Sequence, residues 1–197
     1  MAHSSTVLIV EDEKNLADLF GIWLQEQFEV HVAYSGEDAL EIFAEESIDI
    51  VLLDRRMPGL SGTEVLQSIR ESGDAQQVIM LTAVQPTEDL ASISVDDYLL
   101  KPINRTKLLR AVEAAELVLT YEDSLTELLS LTARKATLEA NLDKTELEKD
   151  ERYGGLLQRI RELEEEADTT LQRLETDYQI DMLVRDQRIG SQPVDQF

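Results

Sequence analysis

The chain has 197 residues, 43% of them hydrophobic, enough for one full domain plus an appendage or for two small domains. Residues 1–120 carry 22 acidic and 8 basic side chains (−14) and residues 121–197 carry 19 and 10 (−9), so neither part has the basic surface of a nucleic-acid or anionic-membrane binder. There is no cysteine, which excludes disulfides, cysteine-ligated zinc and thiol catalysis.

Over the first 120 residues, short apolar runs alternate with amphipathic segments. "TVLIV" (6–10) reads as a strand buried on both faces, and it stops at three adjacent carboxylates, Glu11, Asp12 and Glu13. A helix is expected near 14–27, then a strand at 29–33 ("EVHVA") and a helix over 36–46 that starts after Ser35. "IDIVLLD" (48–54) is the third strand and ends in Asp54. The helix over 62–72 opens at Ser61, three residues before Glu64, as in a capping box. "QVIML" (77–81) and "DYLL" (97–100) complete five strands, with a stub of helix around Glu88–Ser92 between them and a strong helix from Asn104. This alternation predicts a doubly wound α/β fold, a parallel sheet covered on both faces. In that class the site lies beyond the carboxyl ends of the strands.

From Pro102 to Gly154 there is no further proline or glycine, and helix formers dominate. Leu128, Leu131, Lys135, Leu138 and Leu142 make a narrow coiled-coil seam. "DKT" (143–145) reads as a turn, with Thr145 and Glu148 expected to form a capping box for a new helix. Gly154 and Gly155 weaken that helix early. In it Leu156, Ile160, Leu163, Ala167, Leu171, Leu174 and Tyr178 are spaced 4-3-4-4-3-4, which predicts a nearly straight or slightly right-handed pair. The expected form is an antiparallel helical hairpin with a loose tail. Because one hairpin buries little, self-association is expected.

Glu11, Asp12, Asp54, Thr82 and Lys101 come from four strand ends yet should converge on one crevice. Clustered carboxylates suit a hard divalent cation such as Mg²⁺. A metal-bound aspartate beside a lysine and a threonine hydroxyl suits phosphoryl transfer, with Asp54 as nucleophile, Lys101 and Mg²⁺ neutralising charge, and Thr82 bonding a phosphoryl oxygen. Thr82 also fits a plain strand end and Tyr98 a core aromatic. Glu13 fits a solvated helix start.

The motifs "IVEDE", "VLLDRRMPGLSG", "MLTA" and "DDYLLKP", in that order, resemble the receiver domain of two-component response regulators. The resemblance implies a flavodoxin-like sheet of strand order 2-1-3-4-5 over residues 1–120. It implies that Asp54 accepts a phosphoryl group from a sensor histidine kinase. Mg²⁺ would be held by Asp12, Asp54 and the Arg56 backbone carbonyl, with Glu11 acting through water. Thr82 and Tyr98 match the family's switch pair, and Lys101–Pro102 its cis peptide. "YEDSLTELLSLTARKATLEANL" and the acidic stretch after it resemble the HalX domain of halophilic archaea, over residues 121–187, leaving 188–197 as tail.

Six lysines against twelve arginines in so acidic a chain point to a high-salt cytoplasm, where self-repulsion is screened. No apolar run approaches the roughly 20 residues that span a bilayer, and "MAHSS" leads into no signal-peptide apolar stretch, so a cytoplasmic place with no membrane partner is expected. Three functions compete. The first is a phosphorylation-controlled switch, not an enzyme, whose hairpin pairs with a second copy or binds a downstream protein. The second is a DNA-associated transcriptional regulator, against which stand the −9 charge and the lack of a helix-turn-helix signature. The third is a phosphatase resembling the haloacid dehalogenases, which would need a second Asp where Arg56 stands. The residues favour the first.

Overall fold

The strands form where β-branched and aliphatic residues run together, and polar residues, with one glycine stop, delimit the helices between them. The computed structural model describes residues 5–73, 76–83 and 95–189, with Glu148 and 177–189 described by backbone alone. The elements are β1 (Thr6–Val10), α1 (Lys14–Leu24), β2 (Glu29–Ala33), α2 (Gly36–Glu45), β3 (Ile50–Asp54), α3 (Gly62–Ser72), β4 (Gln77–Thr82), β5 (Asp97–Leu100), α4 (Arg105–Asn141), α5 (Lys144–Lys149) and α6 (Glu151–Ile189). The chain divides into two units, Met1–Glu116 and Leu117–Phe197, and α4 carries residues of both. The expected stub around Glu88–Ser92 and the end of the tail lie outside the described residues.

In the first unit five parallel strands lie in the order β2-β1-β3-β4-β5. β3 and β4 are buried at every residue, which is why they read as unbroken apolar runs rather than alternating ones. One face of the sheet presents Leu8, Val10, Val51, Leu53, Val78 and Met80 to α2 and α3, whose Ala39, Val65, Leu66 and Ile69 are buried in the same cluster. α1 lies against β1 and β2. The turn that follows it is tied to the first turn of α4 by Arg105 Nη2 on Glu26, 2.6 Å.

Local signals placed the helix starts. The Ser35 hydroxyl accepts from Asp38 N at 3.1 Å to cap α2. Ser61 donates to Glu64 Oε2 from both its N–H, at 2.9 Å, and its hydroxyl, at 2.6 Å. α3 ends at Gly73, whose φ of 82° is the left-handed conformation a glycine adopts freely.

In the second unit α4 and α6 pack antiparallel. Arg159 on α6 grips Glu127 on α4 through two bonds, 3.0 and 2.9 Å, and the Tyr153 hydroxyl donates to Glu139 at 2.7 Å. On α4 the half-buried Leu128, Leu131, Lys135 and Leu138, with Leu142 just past its end, form the seam, joined by buried Ser124. Two expectations need correction. The capping box is Asp143 with Glu146, not Thr145 with Glu148: Asp143 accepts from Glu146 N at 2.9 Å and Glu146 accepts from Asp143 N at 3.0 Å. Asp143 caps the helix from two residues earlier, so Thr145 falls inside the short helix α5. A second start follows at Asp150, which accepts from Arg152 N at 2.9 Å and opens α6.

The other correction concerns the period of α6. Leu156, Ile160, Leu163 and Ala167 are buried, but the next buried position is Thr170, while Leu171 is 40% exposed. With half-buried Leu174 the spacing becomes 4-3-4-3-4, a heptad repeat that goes with a left-handed pair. Thr170 can sit in the seam because its hydroxyl donates back to Glu166 O at 2.9 Å, leaving its methyl to pack. Tyr178 lies where no side chain is described.

Candidate functional site: an acidic crevice at the strand ends

Parallel strands 2-1-3 bring the ends of β1 and β3 side by side, with Val10 paired to Leu53. Glu11 therefore stands beside Asp54, and both are buried, 2% and 7% exposed. Glu11 N donates to Ala33 O at 3.1 Å, which holds the residue at the sheet edge. Asp12, one residue on, is exposed. These three carboxylates each present an oxygen within 4.8 Å of the others.

Lys101 answers two of them. Lys101 Nζ lies 2.7 Å from Glu11 Oε2 and 2.8 Å from Asp54 Oδ2. It is aimed there by β5, because Lys101 N donates to Thr82 O at 2.8 Å and so prolongs the β4–β5 pairing by one residue. The Lys101–Pro102 peptide is cis. Burial pulls the ammonium's pKa down, but its hydrogen bonds to Asp54 and Glu11 more than offset this, and it ends above its ordinary value. Glu11 is pushed up, first by burial and then by the Asp54 charge, with Lys101 opposing both.

The turn after β3 is equally constrained. Arg56 N donates to Asp54 Oδ1 at 3.2 Å, and Gly62 N donates to Arg55 O at 3.2 Å, folding the loop back over the strand end. A Cβ on Gly62 would stand 2.1 Å from the Asp54 carbonyl oxygen, so no other residue fits without moving the loop that carries the carboxylate. Thr82 closes β4 and is 3% exposed. Tyr98, paired in register with Met80, is partly buried against the α2–α3 cluster. Burial raises its phenol pKa, and the nearby Arg55 guanidinium opposes that rise.

The structure thus brings Glu11, Asp12, Asp54 and Lys101 together, with Thr82 at the adjoining strand end. Tyr98 sits on β5, and Arg56 enters through its N–H. Sequence reasoning passed over two participants, that N–H and the Arg55 charge near Tyr98. A doublet of arginines directly after a buried carboxylate was the available signal for the Arg55 charge, whereas the N–H had none.

The donor set is all oxygen, dense and partly open at Asp12, which fits a hard cation such as Mg²⁺. Glu11, Asp12 and Asp54 are the residues that would hold it.

Comparison with known proteins gives two family matches. Residues 7–113 match the response regulator receiver domain and residues 117–185 the HalX domain. A putative transcriptional regulator from Haloferax volcanii is 36% identical over 93% of this chain, which spans 31% of that protein's length. Among solved structures, response regulator protein TrrA from Thermotoga maritima, in complex with Mg²⁺ and BeF, is 38% identical. The match covers 55% of this chain and 96% of that one, with a TM-score of 0.51. The receiver domain of a putative LuxO repressor protein from Vibrio parahaemolyticus is 27% identical, covering 61% of this chain and 95% of that one, with a TM-score of 0.56.

Proposed function

This chain belongs to the response regulators, with a receiver domain followed by a HalX domain, and from that premise we propose that it is a switch thrown by phosphorylation of Asp54. Receiver domains are signalling switches rather than conventional enzymes, and they imply a histidine kinase as partner. The observation that carries the proposal is the contact of half-buried Lys101 with buried Glu11 and Asp54, a nucleophile and a cation already within hydrogen-bond distance.

In the proposed reaction an Asp54 carboxylate oxygen attacks the phosphorus of a phosphohistidine. The new O–P bond forms as the P–N bond breaks, and the imidazole leaves with the electron pair and takes up a proton. Lys101 releases one carboxylate oxygen to the arriving phosphoryl group and balances its charge, while the Thr82 hydroxyl donates to a phosphoryl oxygen. Bound Mg²⁺ would supply further charge neutralisation at Glu11, Asp12 and Asp54, with the Arg56 carbonyl as an additional oxygen. Thr82 moving toward the phosphoryl group and Tyr98 turning inward behind it would carry the signal outward. Arg56 is bulky and charged two residues after Asp54, a position proposed to hinder attacking water, so the phosphoryl group should persist for minutes or longer, and Arg56→Ala should shorten its lifetime.

The HalX hairpin is then the output, acting by pairing with a second copy or by binding a downstream protein. The test is phosphate incorporation from acetyl phosphate, followed by light scattering in concentrated KCl with Mg²⁺ and beryllofluoride. Incorporation that survives in Asp54→Asn would overturn the acceptor assignment. An unchanged mass with beryllofluoride bound would move the output to another protein. A second reading, a DNA-associated transcriptional regulator, is favoured by the name of the Haloferax volcanii relative. The −9 charge of residues 121–197 argues for a basic partner in such a role rather than direct phosphate contacts. Among the described residues no helix is long and apolar enough to cross a membrane.

A further inference from the structure

Leu129 is 72% exposed, more than any other large apolar side chain among the described residues. It stands roughly 135° around α4 from the seam that meets α6, counting 100° per residue. Leu125, Leu129, Ala133, Ala136 and Ala140 follow at spacings of 4, 4, 3 and 4, so they form one stripe along α4. Thr126, Thr132 and Thr137 border it, and no charged residue lies on it from Leu125 to Ala140, in a chain that is 30% charged.

We infer that this stripe is the contact between two copies of the chain, with the two α4 helices antiparallel. The inference rests on the self-association reading above and names its surface. Size is the first argument. The stripe carries leucine in its first half and alanine in its second. A twofold axis between Thr132 and Ala133 sets Leu129 against Ala136 of the second copy and Leu125 against Ala140, large upon small at every level. A parallel pairing would oppose leucine to leucine at one end and alanine to alanine at the other, splaying the first and leaving a void at the second. Charge is the second argument. Each copy carries −23, so two copies repel wherever acidic faces meet, and this stripe opposes no carboxylate to another. Extent is the third. A face about 24 Å long and about 10 Å wide on each copy buries on the order of 500 Å² in total, short of the ~1,200 Å² of a standard stable interface, which makes the contact weak and dependent on concentration. A switch needs a contact of that kind.

The experiment uses the full chain, whose lack of cysteine allows single cysteines to report the geometry. Under mild oxidation with beryllofluoride and Mg²⁺ in concentrated KCl, Ala133→Cys, next to the axis, cross-links to itself. Leu125→Cys and Ala140→Cys do not cross-link alone but do so when mixed. By sedimentation, Leu129→Glu weakens dimerisation at least tenfold while keeping the wild-type helix content by circular dichroism. Self-cross-linking of Leu125→Cys as fast as Ala133→Cys overturns the antiparallel pairing. A dimer untouched by Leu129→Glu overturns the surface but leaves self-association standing. A chain that stays monomeric in every state overturns both, while the acceptor role of Asp54 is judged separately by phosphate incorporation.

Discussion

Lys101 holds two carboxylates that would otherwise repel, and Glu11, at 2% exposed, has no water to turn to. Lys101→Ala should therefore cost about 3 kcal/mol, the range for removing one partner of a buried ion pair. Urea denaturation measures this, and added Mg²⁺ should restore part of the loss to the variant. Gly62→Ala should be harsher still, because the clash at 2.1 Å is with backbone; poor soluble expression, or loss of the cooperative transition, is the expected result. At this scale the sequence was a good guide to side chains and a poor one to backbone. Carboxylates at strand ends were legible in "IVEDE" and "VLLD", whereas the Arg56 N–H that fixes Asp54 depends on a turn whose shape no residue type announces.

Among the elements, α6 carries an open question about its two glycines. A Cβ at Gly154 or Gly155 would meet nothing within 4 Å, so neither is required by packing or turn geometry. Gly154→Ala and Gly155→Ala should each stabilise the hairpin by up to about 1 kcal/mol, read from thermal melts. The pair also depends on pH. Glu127 titrates below its ordinary 4.5 because Arg159 donates to it. The folded hairpin thus binds that proton less readily than the unfolded chain. The contribution is whole above about pH 4.5 and fades as pH falls through the lowered value. Arg159→Ala removes that contribution, so helix content followed down this range should begin to fall at higher pH in the variant than in the wild type, and an unshifted acid midpoint would remove the Glu127–Arg159 pair from the account. The misread period of α6 belongs here too. Leucine at 171 looked like the seam because apolarity was the criterion, yet a threonine bonded to its own helix packs there instead.

For the molecule as a whole the doubly wound topology was legible because strand burial on both faces and helix amphipathicity give different periods, and neither depends on distant contacts. The hairpin was legible as two helices but not in its detail, since a seam interrupted by Ser124, Lys135 and Thr170 shares the setting of its register with polar pairs such as Glu127–Arg159. A net charge of −23 predicts that stability rises with salt, steeply up to about 1 M KCl as the screening length shrinks toward 3 Å. Melting temperature against KCl tests this, and a flat profile would count against self-repulsion as a term in folding.

Two of the buried seam residues, Ser124 and Thr170, return their hydroxyls to their own helices, on Thr120 O and Glu166 O, both at 2.9 Å. Neither bond crosses the hairpin, so neither is broken when the helices part. Those two hydroxyls are as well satisfied in the separated state as in the joined one, and only apolar contact resists opening at their levels, unlike the Glu127–Arg159 and Tyr153–Glu139 bonds, which cross between the helices. Such a joint comes apart without stranding a buried donor, and it can close again without first finding a partner for one.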